Sequence, residues 1–182
     1  MSLKEESVLM NDAENRGNFE SVMSCIVAWT LKMCDENHHK GHVDNVLLLE
    51  CRKILSRLIG KDVTQLSCSV ETYLEWKKID LVAEVYLKEL DEYHVFLFEN
   101  KVCAGLPSHE LPTNKKVFHE YYDTEKKYMP HHILLCAYSV PDYMAKQCKE
   151  EKFEALTLET LTDYNAPDTG NAIFDEFWRR SW

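Results

Sequence analysis

Glu99 and Lys101 stand two residues apart in the segment Val95-Phe96-Leu97-Phe98-Glu99-Asn100-Lys101-Val102. Such an apolar run predicts a strand, where alternate side chains share a face. Acid and base then project the same way, with Cα atoms roughly 6.5 Å apart at about 3.3 Å of rise per residue. A second carboxylate, Asp80, lies in the preceding segment Ile79-Asp80-Leu81-Val82. The two segments are joined across Glu89-Leu90-Asp91-Glu92, which suits an antiparallel hairpin. A turn centred on Leu90 and Asp91 sets Asp80 opposite Lys101, and one centred on Glu89 and Leu90 sets it opposite Glu99. Either turn puts all three side chains on one face, whereas a centre on Leu90 alone would move Asp80 to the wrong face, opposite Asn100. Two carboxylates and a lysine so placed make a hard-oxygen site for Mg²⁺ or Mn²⁺, which keeps waters for a phosphate to share. The cation polarises a phosphoryl group and acidifies water, and the lysine orients the attacking water or stabilises developing charge.

The elements that must position these residues follow from periodicity. Phe19 to Met33 repeats apolar residues at helical spacing, and so does Val43 to Leu58, with Val46, Leu47, Leu49, Ile54 and Leu58 on its inner face and Gly60 as its stop. Gln65 to Leu74, Lys78 to Leu87 and Tyr93 to Val102 read as strands. A polar stretch, Pro107 to Tyr128, is expected to be helical after Pro112. His132 to Tyr138 holds an apolar run without alternation, the mark of a strand buried on both faces of a parallel sheet, and His131 and His132 are expected to be loop residues before it. Pro141 to Lys149 reads as a short helix and Ala155 to Leu158 as a last strand. Gly170 to Trp182 is a closing helix with Ile173, Phe174, Phe177 and Trp178 inward. The expected fold is α/β (α+β), a mixed sheet of four or five strands flanked by helices with core order αβββαβ and Tyr93 to Val102 central. Residues 1 to 18 read as a flexible leader and 19 to 182 as one domain.

With 182 residues, 45% hydrophobic and 29% charged, the composition is that of a globular protein. No apolar run approaches the roughly 20 residues that span a bilayer, and the N-terminus lacks a signal-type apolar stretch, so a cytoplasmic location is expected. Seven scattered cysteines without a C-x-x-C pair read as reduced, buried thiols. A net charge of −10 argues against a protein that coats nucleic acid, though a local basic cleft and a divalent cation can handle phosphate on an acidic protein.

Asp80 with Glu99-Asn100-Lys101 resembles the divided motif of the PD-(D/E)XK nuclease superfamily, the restriction-endonuclease-like proteins. The resemblance extends to an uncharacterised bacterial branch with an early helix of the form E-x-x-H-S-x-x-L-A-W-L-L. Glu20, Ser24, Ala28, Trp29 and Leu31 match that helix, with Met23 at the histidine position. A His-Gly element before an F-L-rich helix is echoed by His39-Lys40-Gly41-His42 and Val46-Leu47-Leu48-Leu49, and E-N-K-I-x-x-G by Glu99 to Gly105. The branch's Gln-Leu-x-x-Tyr helix is answered by Val117-Phe118-His119-Glu120-Tyr121, which keeps the tyrosine and lacks the glutamine, and Ile79 replaces the proline of the family name. The resemblance spans roughly residues 19 to 160. It implies a Mg²⁺- or Mn²⁺-dependent nuclease acting on DNA, with Asp80 and Glu99 as metal ligands and Lys101 catalytic. Glu20 is a further candidate ligand, against a plain role in its helix's first turn.

Lys115 and Lys116, with Lys126, Lys127, Lys77 and Lys78, are candidate phosphate contacts, though Glu120, Asp123 and Glu125 dilute their charge. Cys34, His38, His39 and His42 match no closed zinc spacing. Cys103 with His109 could form a thiol nucleophile and base, but no third group marks it. Trp178 and Trp182 are expected to close the core or a homodimer contact. A second function class stays open: a non-catalytic descendant of the same fold that serves as a binding or regulatory module.

Overall fold

The computed structural model describes residues 18–39, 45–102, 105–123, 127–162 and 167–180. The segment expected to be a leader lies outside them, apart from Asn18. Helices α1 (Phe19–Lys32) and α2 (Asn45–Ile59) are followed by strands β1 (Cys68–Trp76), β2 (Ile79–Leu87) and β3 (Glu92–Lys101). Helix α3 (Glu110–Tyr122), strand β4 (Met129–Cys136), helix α4 (Asp142–Glu151), strand β5 (Glu154–Thr157), and helices α5 (Leu158–Leu161) and α6 (Ala172–Trp178) complete the order.

The sheet is five-stranded and mixed, in the order β1-β2-β3-β4-β5. Its first three strands form an antiparallel meander, while β3, β4 and β5 run parallel through the crossover helices α3 and α4. Strand β3 is therefore central, and every residue from His94 to Lys101 is buried, because helices cover both faces. On one face Phe96, Phe98, Leu81, Ala83 and Val85 pack against α1, α2 and α6. On the other, Val95, Leu97, Val82 and Leu134 pack against Leu111 and Phe118 of α3 and Met144 and Cys148 of α4.

Local chemistry explains several boundaries. Gly60 ends α2 at φ 81°, a left-handed conformation that glycine adopts without a Cβ penalty. Helix α3 starts at Glu110, ahead of the expected start after Pro112. A proline in the first turn is tolerated there, because the first N–H groups of a helix have no intrahelical partner. The tip between β1 and β2 is Lys77-Lys78, both left-handed at φ 50° and 73°, as the twist of a two-residue hairpin demands. For side chains other than glycine or asparagine that conformation costs about 1–2 kcal/mol per residue.

Other expectations need correction. His131 and His132 belong to β4, which begins at Met129 because that residue already pairs with His94. His131 stacks on Phe96 at 4.4 Å. Val46 and Ile173 are exposed; each sits in the first turn of its helix, while Phe174, Phe177 and Trp178 are buried. Cys25 is exposed, whereas Cys34, Cys51, Cys68, Cys136 and Cys148 are buried and free. Trp178 closes the core, with its Nε1 donating to Thr30 Oγ1 at 2.7 Å, and Trp182 lies outside the described residues. No helix among the described residues is long and apolar enough to cross a membrane.

Candidate active site

The turn from Lys88 to Asp91 decides the geometry. Leu87 pairs with Glu92 and Leu81 with Phe98, so the register runs on to set Asp80 against Glu99. This is the turn centred on Glu89 and Leu90. Asp80 is tied to the neighbouring strand: the Asn100 backbone N–H donates to its Oδ2 at 2.7 Å.

Strand alternation then divides the Glu99-Asn100-Lys101 triplet between the two layers. Asn100 faces α1, where its Nδ2 donates to Ser24 Oγ at 2.7 Å, and that hydroxyl donates to the Glu20 carbonyl at 3.0 Å. Glu99 and Lys101 face α3. The Asn114 amide donates to Glu99 Oε2 at 2.8 Å, and Lys101 Nζ stands 2.7 Å from Glu99 Oε1 and 3.2 Å from Glu110 Oε2. Glu110 and Asn114 are four apart on α3 and so share one helical face. Glu20, in the first turn of α1, accepts from the Val102 N–H through Oε1 at 3.0 Å, just past the end of β3.

Burial sets the electrostatics. Glu99 is 2% exposed and Lys101 8%. Desolvation and then the nearby Asp80 charge push Glu99 up to about 8, although Lys101 pulls it back. Asp80 is also raised, by burial first, with Glu20 and Glu110 adding to it and the Asn100 N–H and Lys101 opposing. Burial works against the Lys101 charge, yet Glu99 and Glu110 hold its pKa above the usual lysine range. The Asp80–Glu99 pair thus keeps a proton near neutrality, and a nearby cation would favour its release.

Asp80, Glu99 and Lys101 accordingly lie together at the end of β3, whereas Glu20 reaches that strand end from α1 and is held on the Val102 N–H, so it does not join the other two carboxylates as the expected third metal ligand. Lys115 and Lys116 are engaged elsewhere: Lys115 Nζ donates to the Glu151 carbonyl at 2.7 Å, and exposed Lys116 pairs with Glu120 at 3.7 Å. Among the described residues, no group of three or more His, Cys, Asp or Glu is placed to hold a metal ion. His39 Nε2 sits 2.9 Å from the Met33 carbonyl, and Cys34 is buried with its thiol on the Thr30 carbonyl. Cys103 and His42 lie outside the described residues. Sequence reasoning missed Glu110, Asn114 and Asn100. The available signal was the acid–amide pair four apart at the start of the crossover helix.

Comparison with known proteins finds no matching protein-family model, no matching curated protein and no matching solved structure.

Proposed function

We propose that Asp80, Glu99 and Lys101 form the divided carboxylate–lysine site of a PD-(D/E)XK-type nuclease that hydrolyses DNA phosphodiester bonds with Mg²⁺ or Mn²⁺. The observation that carries the reading is the β2–β3 register, which sets Asp80 against Glu99 and Lys101 beside it on one buried face. Two desolvated carboxylates with raised pKa values fit a hard cation, since Mg²⁺ commonly takes one or two carboxylates and completes its shell with water and phosphate oxygens. When bound, the cation supplies Lewis acidity and an acidified water. Lys101 supplies a fixed positive charge for the developing phosphorane-like oxygens. Asn114, on the crossover helix, holds Glu99 in place through its amide. The reading places the protein in the cytoplasm with DNA as its partner, and a homodimer is compatible with it.

A second reading draws on a specific observation. Asp80, Glu99 and Glu20 each already accept an internal hydrogen bond, so the same geometry serves a non-catalytic module in which Lys101 only offsets carboxylates. The −10 net charge favours that reading too.

The test is incubation with plasmid, linear and single-stranded DNA plus Mg²⁺ or Mn²⁺, beside Lys101→Ala. Cleavage by the wild type alone supports the nuclease. No cleavage of any substrate, together with no Mn²⁺ binding, leaves the non-catalytic module.

A further inference from the structure

The tip of the β1–β2 hairpin carries chemistry that the Asp80 site does not use. Trp76 is half-buried against the sheet, and Tyr121, at the end of α3, is 52% exposed. Their ring centroids lie 4.9 Å apart at 73°. Lys77 Nζ sits 4.8 Å from the Trp76 ring and 4.9 Å from the Tyr121 ring, so one ammonium spans both faces. Lys78 is exposed beside it, and Tyr73, three residues before Trp76 on β1, is 41% exposed. The chain reaches Asp80 two residues after Lys78, about 7 Å of strand away.

The placement is specific. Lys77 and Lys78 occupy left-handed positions where Asn-Gly would sit without strain, and the chain keeps two lysines there. Exposed Glu75 and Glu84, which accepts from the Tyr122 hydroxyl at 2.7 Å, balance the two ammonium groups by count, so the lysines offer local phosphate contacts on a tip of no net charge.

We infer that Trp76, Tyr121 and Lys77 form a stacking platform for an unpaired nucleobase, which makes single-stranded nucleic acid, or a strand end, the substrate class of the adjacent site. The inference rests on the nuclease reading of Asp80, Glu99 and Lys101. A base stacks face-on on one of the two rings, which stand at 73° to each other, with the second ring flanking its edge, and Lys77 moves from the ring faces to the flanking phosphate, where Lys78 joins it. Bases inside a duplex have their faces covered by their neighbours and gain nothing from such a platform. Base–aromatic stacking tolerates any sequence, so no sequence preference is expected from this contact.

The experiment reads binding without metal and cleavage with it. Labelled oligothymidylate and oligouridylate of about twelve nucleotides, within the span of single-strand sites, and a duplex of equal length are titrated with the full chain in EDTA. Fluorescence anisotropy follows binding at about 50 mM salt. The wild type should bind the single strands more tightly than the duplex, and the two sugars separate a DNA from an RNA ligand. Trp76→Ala and Tyr121→Ala should each weaken single-strand binding by about tenfold, and Trp76→Phe should restore most of it. Tyr121→Ala and Trp76→Phe guard against a Trp76→Ala protein that fails to fold. Preference for the duplex, no binding to single strands, or equal binding by wild type and both alanine variants overturns the platform. A protein that binds single strands through these rings but cuts nothing keeps the platform and loses the nuclease. One that cuts duplex plasmid and ignores single strands does the reverse.

Discussion

Lys101 and Glu99 occupy alternate positions of one central strand, and their side chains meet at 2.7 Å with less than a tenth of either residue exposed. In a nuclease, this ammonium is positioned to act on the scissile phosphate. In a retired site, it is there to keep two carboxylates apart.

Lys101→Ala separates the two roles. As a catalyst, Lys101 should take cleavage with it, a loss of about 2.7–4 kcal/mol of transition-state stabilisation, while Mn²⁺ still binds. As a counter-charge, its removal should raise Glu99 further and cost about 3 kcal/mol of stability at pH 9, with a smaller loss at pH 5, where Glu99 is neutral. Chemical denaturation at both pH values, beside a plasmid assay, reads both. A variant that cuts DNA as well as wild type removes Lys101 from the mechanism.

Glu99 makes stability fall with pH. Its folded pKa of about 8 lies above its ordinary value of 4.5, so its contribution is fully present below pH 4.5 and is lost as pH rises through about 8. The raised Asp80 acts in the same direction. Buried His131 and His132, each lowered to about 4, act the other way at the acid end. Glu99→Gln should therefore gain on wild type steadily between pH 5 and 8 in denaturation experiments. A gap that stays flat with pH would show that Glu99 is ionised throughout.

Cation binding should release a proton. A pair that keeps a proton near neutrality must surrender it to bind a cation, so Mn²⁺ affinity should rise with pH up to about 8. Calorimetry in buffers of different ionisation enthalpy measures the proton. Asp80→Asn should abolish binding, keep the fold and bring the Glu99 pKa down, since the like charge is gone.

Asn114→Ala leaves Glu99 Oε2 without its amide donor. Stability should drop by about 1–3 kcal/mol, and any cleavage should fall with it. Unchanged thermal melting and turnover would make Asn114 a bystander.

Replacing Lys77-Lys78 by Asn-Gly relieves two left-handed side chains. The hairpin should gain about 2–4 kcal/mol, at 1–2 for each residue, and Tm should rise by roughly 2–4 °C per kcal/mol. Single-strand binding should weaken in the same protein, an opposite movement that simple strain relief would not produce.

The sequence carried Asp80, Glu99 and Lys101 because period-two alternation and a short turn leave few registers. The turn at Glu89 and Leu90 selects one of the two even-length registers, and both placed the trio on one face. Glu110 and Asn114 were hidden for a physical reason. They reach the site across a crossover, and alternation within a strand says nothing about which helical turn will lie over it. Pro112 also marked the helix start too late, because a first-turn proline looks like a boundary in sequence. His131 resembled a loop residue until pairing with Phe96 drew it into β4.

The mixed sheet gives the site two independent hinges of change. The turn at 88–91 alone fixes Asp80 against Glu99, within a meander of neighbouring strands. The crossover after Lys101 alone sets where Glu110 and Asn114 come down. An insertion or deletion in the crossover would shift the groups that tune the acids and leave the acids themselves in register. A one-residue change in the turn would turn Asp80 to the opposite face and dismantle the pair at once. Over evolutionary time, such a site can have its proton affinity and counter-charge reset by loop length alone, while the turn must keep its length for the site to exist.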